Sequence, residues 1–407
     1  MALIPVAEAL QRILAGASRP VGTEEVALEA AAGRALAADI ASLRTQPPFA
    51  ASAMDGYAVR LADISAVPAT LDVIGASAAG RGFVGAVGPG QAVRIFTGAP
   101  IPAVADAIVI QEDAEAVDGR VVVREAPVAG RFIRPAGLDF REGQVLLQAG
   151  QRLDARRLAL AAAMGHPRRE VRRKPRVAIL ATGDELVRPG EQAGPDQIVA
   201  SNPYALRAII ERAGGEAIDL GIARDTIEEL ARHIEGAKAV GADLLVTLGG
   251  ASVGEHDLVQ PALLQGGMEL GFWRVALRPG KPLMHGRLGD MLLIGLPGNP
   301  VSSIVCGILF VAPAIRALLG DPCAGDDPAE AAILGTDLPA NDSRQDYMRA
   351  ALSRSPEGHL VATAQKRQDS SMLATLAESE GLIVRAPHAA AATAGDRCRV
   401  IVMDRFC

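Results

Sequence analysis

The stretch Val246-Thr-Leu-Gly-Gly-Ala-Ser-Val-Gly-Glu-His-Asp257 decides the fold. It continues Asp243-Leu-Leu, so an apolar run ends at Leu248 and is broken by Gly249, Gly250 and Gly254. A short apolar run of β-prone residues bounded by glycines reads as a buried strand. Beyond Asp257, Leu258-Val259 and Ala262-Leu263-Leu264 recur at helical spacing. Strand, glycine-rich turn and helix start make the unit in which α/β sheets bind ligands, outside the carboxyl ends of the strands. Small residues there, Gly249, Gly250 and Ser252, leave backbone N–H groups open to an anion. Asp257 would stand at the lip of that pocket. Alone, such a loop is more often a plain turn with Asp257 as an N-cap. Further loops of the same kind argue for a site.

Composition bounds what the site can serve. A chain of 407 residues exceeds one ordinary domain, and about two to four are expected. Hydrophobic residues make up 49%, enough for large cores, while the formal net charge of −6, the single Trp and 3% aromatics disfavour nucleic-acid binding. Cys306, Cys323, Cys398 and Cys407 form no CxxC pair and read as free thiols of a reducing compartment. The N-terminus lacks a signal pattern. The longest apolar run, Ile304 to Ile315, is shorter than the ~20 residues of a membrane span and reads as a buried helix, kinked at Pro313. A cytoplasmic protein without a membrane segment is expected.

In chain order, residues 5–17 carry an amphipathic helix, with Val6, Leu10, Ile13 and Leu14 on one face. Pro47-Pro48 then fixes an extended approach to a tight loop, Ser52-Ala-Met-Asp-Gly56. Asp55-Gly56 suits either a hairpin turn or a displayed carboxylate. Short strands without helical period over 60–135 read as a small all-β module, whose stiff Phe96-to-Pro102 loop exposes Thr97. Arg134 and Asp139 share the next loop. A helix from Leu153 to Met164 should pack back on the N-terminal helices, making the β module an insertion. The basic run 168–176 reads as a solvated linker, because no aromatics interleave. From Arg176 strands and helices alternate, with helices opening at Asn202-Pro203, at Thr226…Glu229 and at Asn299-Pro300. The last eighty residues read as regularly spaced strands of a small barrel or sandwich. The expected fold is thus multidomain α/β and β. A discontinuous N-terminal domain (1–45 with 136–171) carries an inserted β domain (46–135), and a doubly wound α/β domain (172–323) precedes a C-terminal β domain (328–407).

The loops constrain the chemistry. Gly280-Lys281 is followed by Pro282, which excludes a Walker A loop, and no GxGxxG follows a strand. No Cys/His set suits zinc. Carboxylates remain on the sheet-edge loops, Asp184, Glu185, Asp225 and Asp257, beside Arg278, Lys281 and hydroxyls. Oxygen-only ligands suit Mg²⁺, usually shared with substrate phosphates. Metal-assisted phosphoester chemistry is the class this supports, although Asp225 could simply precede a helix cap.

Taken together, PPFxxSAMDGYA, TGAP, ATGDEL, the Ser201-Asn-Pro helix start, LGGxSVGxxD, RPGKP and GLPGNPVS, in this order and nearly end to end, resemble the molybdopterin molybdotransferases, the MoeA proteins and the gephyrin E domain. The resemblance implies a homodimer that inserts molybdate into adenylylated molybdopterin with Mg²⁺-dependent release of AMP. It implies site residues Asp55, Thr97, Asp139, Glu185, Asp225, Asp257 and Lys281, with Asp55 and Thr97 serving the partner's cleft. It places the oxyanion near Lys281, Ser302, Arg349 and Ser370. Its protein partners would be a molybdopterin adenylyltransferase and molybdenum-cofactor acceptors. Two departures stand out: Arg278 where the family often has Lys, and Asp369 where it often has Gly. A pterin adenylyltransferase and a non-enzymatic scaffold of the gephyrin type are the alternative readings.

Overall fold

The computed structural model describes residues 3–250 and 258–407. Its centre is a six-stranded sheet in the order Glu216–Ala223, Arg176–Thr182, Leu244–Leu248, Met291–Leu296, Met284–Leu288, Glu269–Trp273. The first four strands are parallel, and Met284–Leu288 runs antiparallel to both of its neighbours. All five residues of Leu244–Leu248 are buried, as expected of a strand covered on both faces. One face carries the helices Val6–Gly16 and Asn202–Ala213 and the long helical stretch Pro300–Leu318; the other carries Ile227–Ala239 and Val259–Gln265. The chain is therefore doubly wound, but the sheet is mixed at one edge.

Local chemistry sets the helix ends. Thr226 caps Ile227–Ala239, its Oγ1 accepting from the Glu229 N–H at 3.3 Å. Asn202–Ala213 has proline in its first turn and stops at Gly214, whose φ of 100° a side chain would resist. Pro300–Leu318 is long and apolar enough to cross a bilayer by length and composition. Yet 83% of that window is buried inside the protein, which makes it a core helix. The expected kink is a π turn over Gly307–Val311. Pro313 has no N–H for the Leu309 carbonyl, and one wide turn just ahead of it absorbs the mismatch.

The N-terminal helix packs into the core of the α/β domain. Val6, Ala9 and Ile13 lie in the same apolar core as Leu206, Ile209 and Ile308. The expectation that residues 153–164 pack on it is corrected: the helix Ala155–Ala163, capped by Asp154, joins Leu36, Ile40, Phe140 and Val171 in a separate core. The basic run is likewise not a solvated linker. Arg168–Arg172 is a strand antiparallel to Thr23–Ala27, and Arg173 grips Asp243 with two bonds of 2.7 Å. Alternation put one arginine set outward and Val171 inward, so a strand was compatible with the charge.

Residues between 46 and 140 leave the host as a two-stranded stem. Gln46 N donates to Phe140 O and Asp139 N to Gln46 O, and farther out Ala51–Ser52 pairs with Ile133–Arg134. The stem carries a six-stranded β sheet in the order Ala107–Ile110, Gly56–Val59, Gln91–Ile95, Ala69–Ser77, Arg120–Val123, Ala114–Val117. At the other end of the chain, Glu330–Leu334, Gln345–Arg354, Leu360–Ala364, Gly381–Arg385 and Arg397–Val402 close into a ring, so the C-terminal unit is a barrel rather than a sandwich. Leu277–Arg278 adds to its Gln345–Arg354 strand in parallel.

Gly56 starts a central strand, where a Cβ would overlap the Val109 carbonyl oxygen and come within 2.9 Å of Ile110 Cα. Both obstacles are backbone, so they cannot rotate away. Gly56→Ala should cost about 1–3 kcal/mol or more, read as a lower denaturation midpoint; a variant of unchanged midpoint would show that the sheet yields.

Candidate active site

At the carboxyl ends of the parallel strands lies a cleft of about 730 Å³. Its floor and walls come from the three loops that the glycines allow: Thr182-Gly-Asp-Glu185, Leu248-Gly-Gly250 and Pro297-Gly-Asn-Pro300. Backbones approach closely here. A Cβ on Gly249 (φ 96°) would meet the Thr182 carbonyl at 2.8 Å, and Gly298 packs on the Gly249 Cα. Gly183 has φ 146°, and a Cβ there would run into the Glu185 carboxylate, which folds back over it. The Ser201-Asn202-Pro203 helix start forms another wall, with Asn202 Nδ2 donating to the Gly298 carbonyl at 2.7 Å. Ile198 and Val199, both exposed, and Leu373 of the barrel give the mouth an apolar side.

The cleft is acidic. Glu185 and Asp225 line it, and among its described lining residues there is no Lys or Arg. Asp184 sits beside them, its Oδ1 accepting the Asp225 N–H at 3.3 Å. Burial, and then the charges of Asp184 and Glu185, push the Asp225 carboxyl above the usual range. Thr226, not Asp225, caps the next helix, so Asp225 has no capping duty. Ser252 and Asp257 lie outside the described residues. Among the described residues no three Asp, Glu, His or Cys side chains converge as a finished metal site. The donor chemistry nevertheless fits a hard cation: exposed carboxylate oxygens with uncompensated charge.

The remaining sequence-derived candidates separate into groups. Lys281 is exposed at the edge, next to Pro282, which does line the cleft. Asp55 and Thr97 come together in the inserted sheet, Oδ1 of Asp55 accepting the Thr97 N–H at 2.7 Å and its hydroxyl at 2.8 Å. Those two bonds, with Arg94 nearby, hold the Asp55 carboxyl below the usual range. Asp139 is exposed on the stem. None of these three lines the cleft of its own chain.

Four candidates take other duties. Arg278 turns to the barrel, where it bonds Asp342 at 3.1 Å, Asn341 at 3.0 Å and Asp346; these bonds take three of its five donors and hold the guanidinium against the barrel, off the cleft lining. Arg349 is 1% exposed and spends its donors on Gln368 Oε1 and the carbonyls of Arg367 and Met372. It therefore braces the loop beside the cleft instead of reaching a ligand. Ser302 is buried off the lining. Ser370 docks the barrel to the helix start, accepting from Val301 N and Asn299 Nδ2. Ser371 lines the cleft in its place. The unusual Asp369 closes a local turn, its Oδ1 accepting the Ser371 N–H and hydroxyl at 2.9 and 2.6 Å. Sequence reasoning missed Ser371, Asn202 and Asn299 as wall residues; the two Asn-Pro helix starts were the signal for the asparagines, while Ser371 had none.

Three domain families match the chain: "MoeA N-terminal region (domain I and II)" over residues 4–165, "Probable molybdopterin binding domain" over 178–317 and "MoeA C-terminal region (domain IV)" over 331–403. The molybdopterin molybdenumtransferase of Haemophilus influenzae is 35% identical over 94% of each chain. That of Bacillus subtilis is 34% identical over 94% of this chain and 90% of its own. A solved moeA protein of molybdopterin biosynthesis from Pyrococcus horikoshii OT3 superposes with a TM-score of 0.86 at 28% identity, covering 98% of this chain and all of that one.

Because the Asp225 carboxyl is raised in the folded state, the native protein binds more protons than the unfolded chain between the ordinary carboxylate value and the raised one. Stability therefore falls as pH rises through that window and stays lower above it. Asp225→Asn should melt higher near neutral pH. The gain should vanish below the ordinary aspartate value of about 3.9, where the wild-type group is protonated in both the folded and unfolded states. Equal melting at neutral pH, or a gain that survives acidification, would refute the assignment.

Proposed function

Because this chain belongs to the molybdopterin molybdenumtransferase family, we propose that its cleft binds adenylylated molybdopterin and molybdate and couples molybdenum insertion to release of AMP. The observation that carries the reading is the acid-lined cleft at the carboxyl edge of the sheet, with no Lys or Arg among its described lining residues. Such a cleft repels a phosphoester unless a cation joins it. Glu185 and Asp225, with Asp184 beside them, would hold Mg²⁺, joined by Asp257 as the resemblance implies; the ion would supply charge neutralisation at the phosphate oxygens. The chain's own groups bind and orient. The Gly249-Gly250 backbone admits the ligand closely, the apolar side at Ile198 and Leu373 takes a flat ring, and Lys281 meets the oxyanion from the edge as a compact ammonium.

Asp55, Thr97 and Asp139 fall outside their own chain's cleft, so we assign them to the cleft of a second copy in a homodimer. A cytoplasmic setting accords with four free cysteines. Exchange with a pterin adenylyltransferase and with cofactor acceptors belongs to the same proposal. Catalysis by this chain of the adenylylation step itself is the weaker alternative, since the matched N- and C-terminal regions flank the pterin-binding domain. A scaffold without turnover is weaker still, given the acids that remain in the cleft.

Purified protein given adenylylated molybdopterin, molybdate and Mg²⁺ should release AMP, and stripping divalent ions should stop it. Lys281→Ala should shift the molybdate dependence to higher concentration. Full release without divalent ions would defeat the metal role, and an unchanged molybdate dependence would remove Lys281 from the oxyanion site. Light scattering should give twice the chain mass at micromolar protein; a monomer there would leave Asp55 without a cleft to serve.

A further inference from the structure

We propose that Arg94 is a positioning residue for this reaction: its guanidinium locks the loop that presents the Asp55 carboxylate and the Thr97 hydroxyl. The inference rests on the reading above, in which those two groups serve a cleft. Arg94 stands on the strand Gln91–Ile95 directly opposite Tyr57. Its guanidinium lies over two rings, 4.9 Å from the Tyr57 centroid and 5.2 Å from that of Phe96. Such stacking restrains a long, otherwise mobile side chain.

The hydrogen bonds then close a circuit around Asp55. Arg94 Nη1 donates to the Gly56 carbonyl at 3.3 Å and Nη2 to Gln111 Oε1 at 2.9 Å. Gln111 in turn donates its backbone N–H to the Asp55 carbonyl at 3.1 Å. The guanidinium thus ties together the residue after Asp55 and the residue that anchors Asp55 itself. Phe96, one of the stacked rings, is the neighbour of Thr97, so the same cation sets the other half of the pair. A side chain at Gly56 would collide with the backbone of Val109 and Ile110, so the residue after Asp55 packs directly on the neighbouring strand. Both bonds from Arg94 go to neutral acceptors, which leaves its charge to act on the Asp55 carboxylate nearby.

A lysine can restore the charge at this position but not the fork that bridges Gly56 and Gln111, nor the planar stack. That difference separates positioning from simple electrostatics. The assay is AMP release by the full-length protein, with Arg94→Gln, Arg94→Lys, Asp55→Asn and the Arg94→Gln/Asp55→Asn double variant, each with a melting curve. Arg94→Gln should lower kcat by about 10- to 100-fold, the scale of a misplaced group, with the KM for molybdate unchanged. Its acid limb should move to higher pH, because an ionised Asp55 loses its cation. Arg94→Lys should regain part of the rate and keep the wild-type limb. The double variant should be no slower than Asp55→Asn alone, since both act through one group.

A wild-type kcat in Arg94→Gln beside a slow Asp55→Asn overturns the proposal and leaves the functional reading intact. So does strictly multiplicative loss in the double variant. A wild-type kcat in Arg94→Lys shows that charge alone suffices and also overturns it. Should Arg94→Gln fail to fold, Arg94→Lys carries the measurement by itself. Normal turnover in Asp55→Asn removes Asp55 from the reaction, and Arg94's role with it.

Discussion

Burial of the Pro300–Leu318 helix is the interaction on which the rest of the molecule depends. Residues from Val301 to Leu319 share one apolar core with the N-terminal helix, with the strands Arg176–Thr182 and Leu244–Leu248, and with Tyr347, Leu382 and Met403 of the barrel. Each large side chain so buried is worth about 1.5–3 kcal/mol, so the shared core outweighs any of the polar contacts between the same parts. Its placement also has a chemical result. The helix begins at the cleft wall, and Ser370 of the barrel meets its second residue there. One packing event thus brings the sheet edge, the barrel loop and the cleft into a fixed relation.

Arginine acts mostly as a fastener in this protein, and the cleft is left to acids. Arg278 ties the α/β unit to the barrel, Arg349 holds the barrel loop from inside, and Arg173, just after a strand of the N-terminal unit, joins it to Asp243 at the start of a central strand of the sheet. Each guanidinium presents several donors in a plane, which suits it to gathering carbonyls and carboxylates from different segments. Among the described residues the carboxylates of Asp184, Glu185 and Asp225 form no ion pair with an arginine, and burial first, then the neighbouring charges of Asp184 and Glu185, raises the Asp225 carboxyl.

The elements legible in the sequence are those whose cause is local. Thr226 and Glu229 have capping spacing and form that cap; Gly214 ends its helix; the Leu244–Leu248 run is a buried strand followed by glycines. The acids Glu185 and Asp225 were legible as sheet-edge loop residues for the same reason. What was not legible depends on distant partners. The charge of Arg278 and Arg349 suggested anion binding, but their acceptors lie elsewhere in the chain. The basic run 168–176 looked like a linker because the partner strand of its first five residues is about 145 residues upstream. The helix Val6–Gly16 was visible by its period, while its packing site, hundreds of residues away, was not.

The two-stranded stem at Gln46 and Phe140 has an entropic consequence. Because its ends are bonded to one another, the host experiences the whole insertion as it would a tight turn: loop closure depends on the distance between the ends, and here the insert's own folding has already fixed that distance. Mutational load in the β insert can therefore accumulate without loosening the core around Phe140 and Leu36. The same economy of attachment means that only a few stem torsions orient the Asp55 face. Natural variation in where that face points need involve no more than residues 45–50 and 134–140.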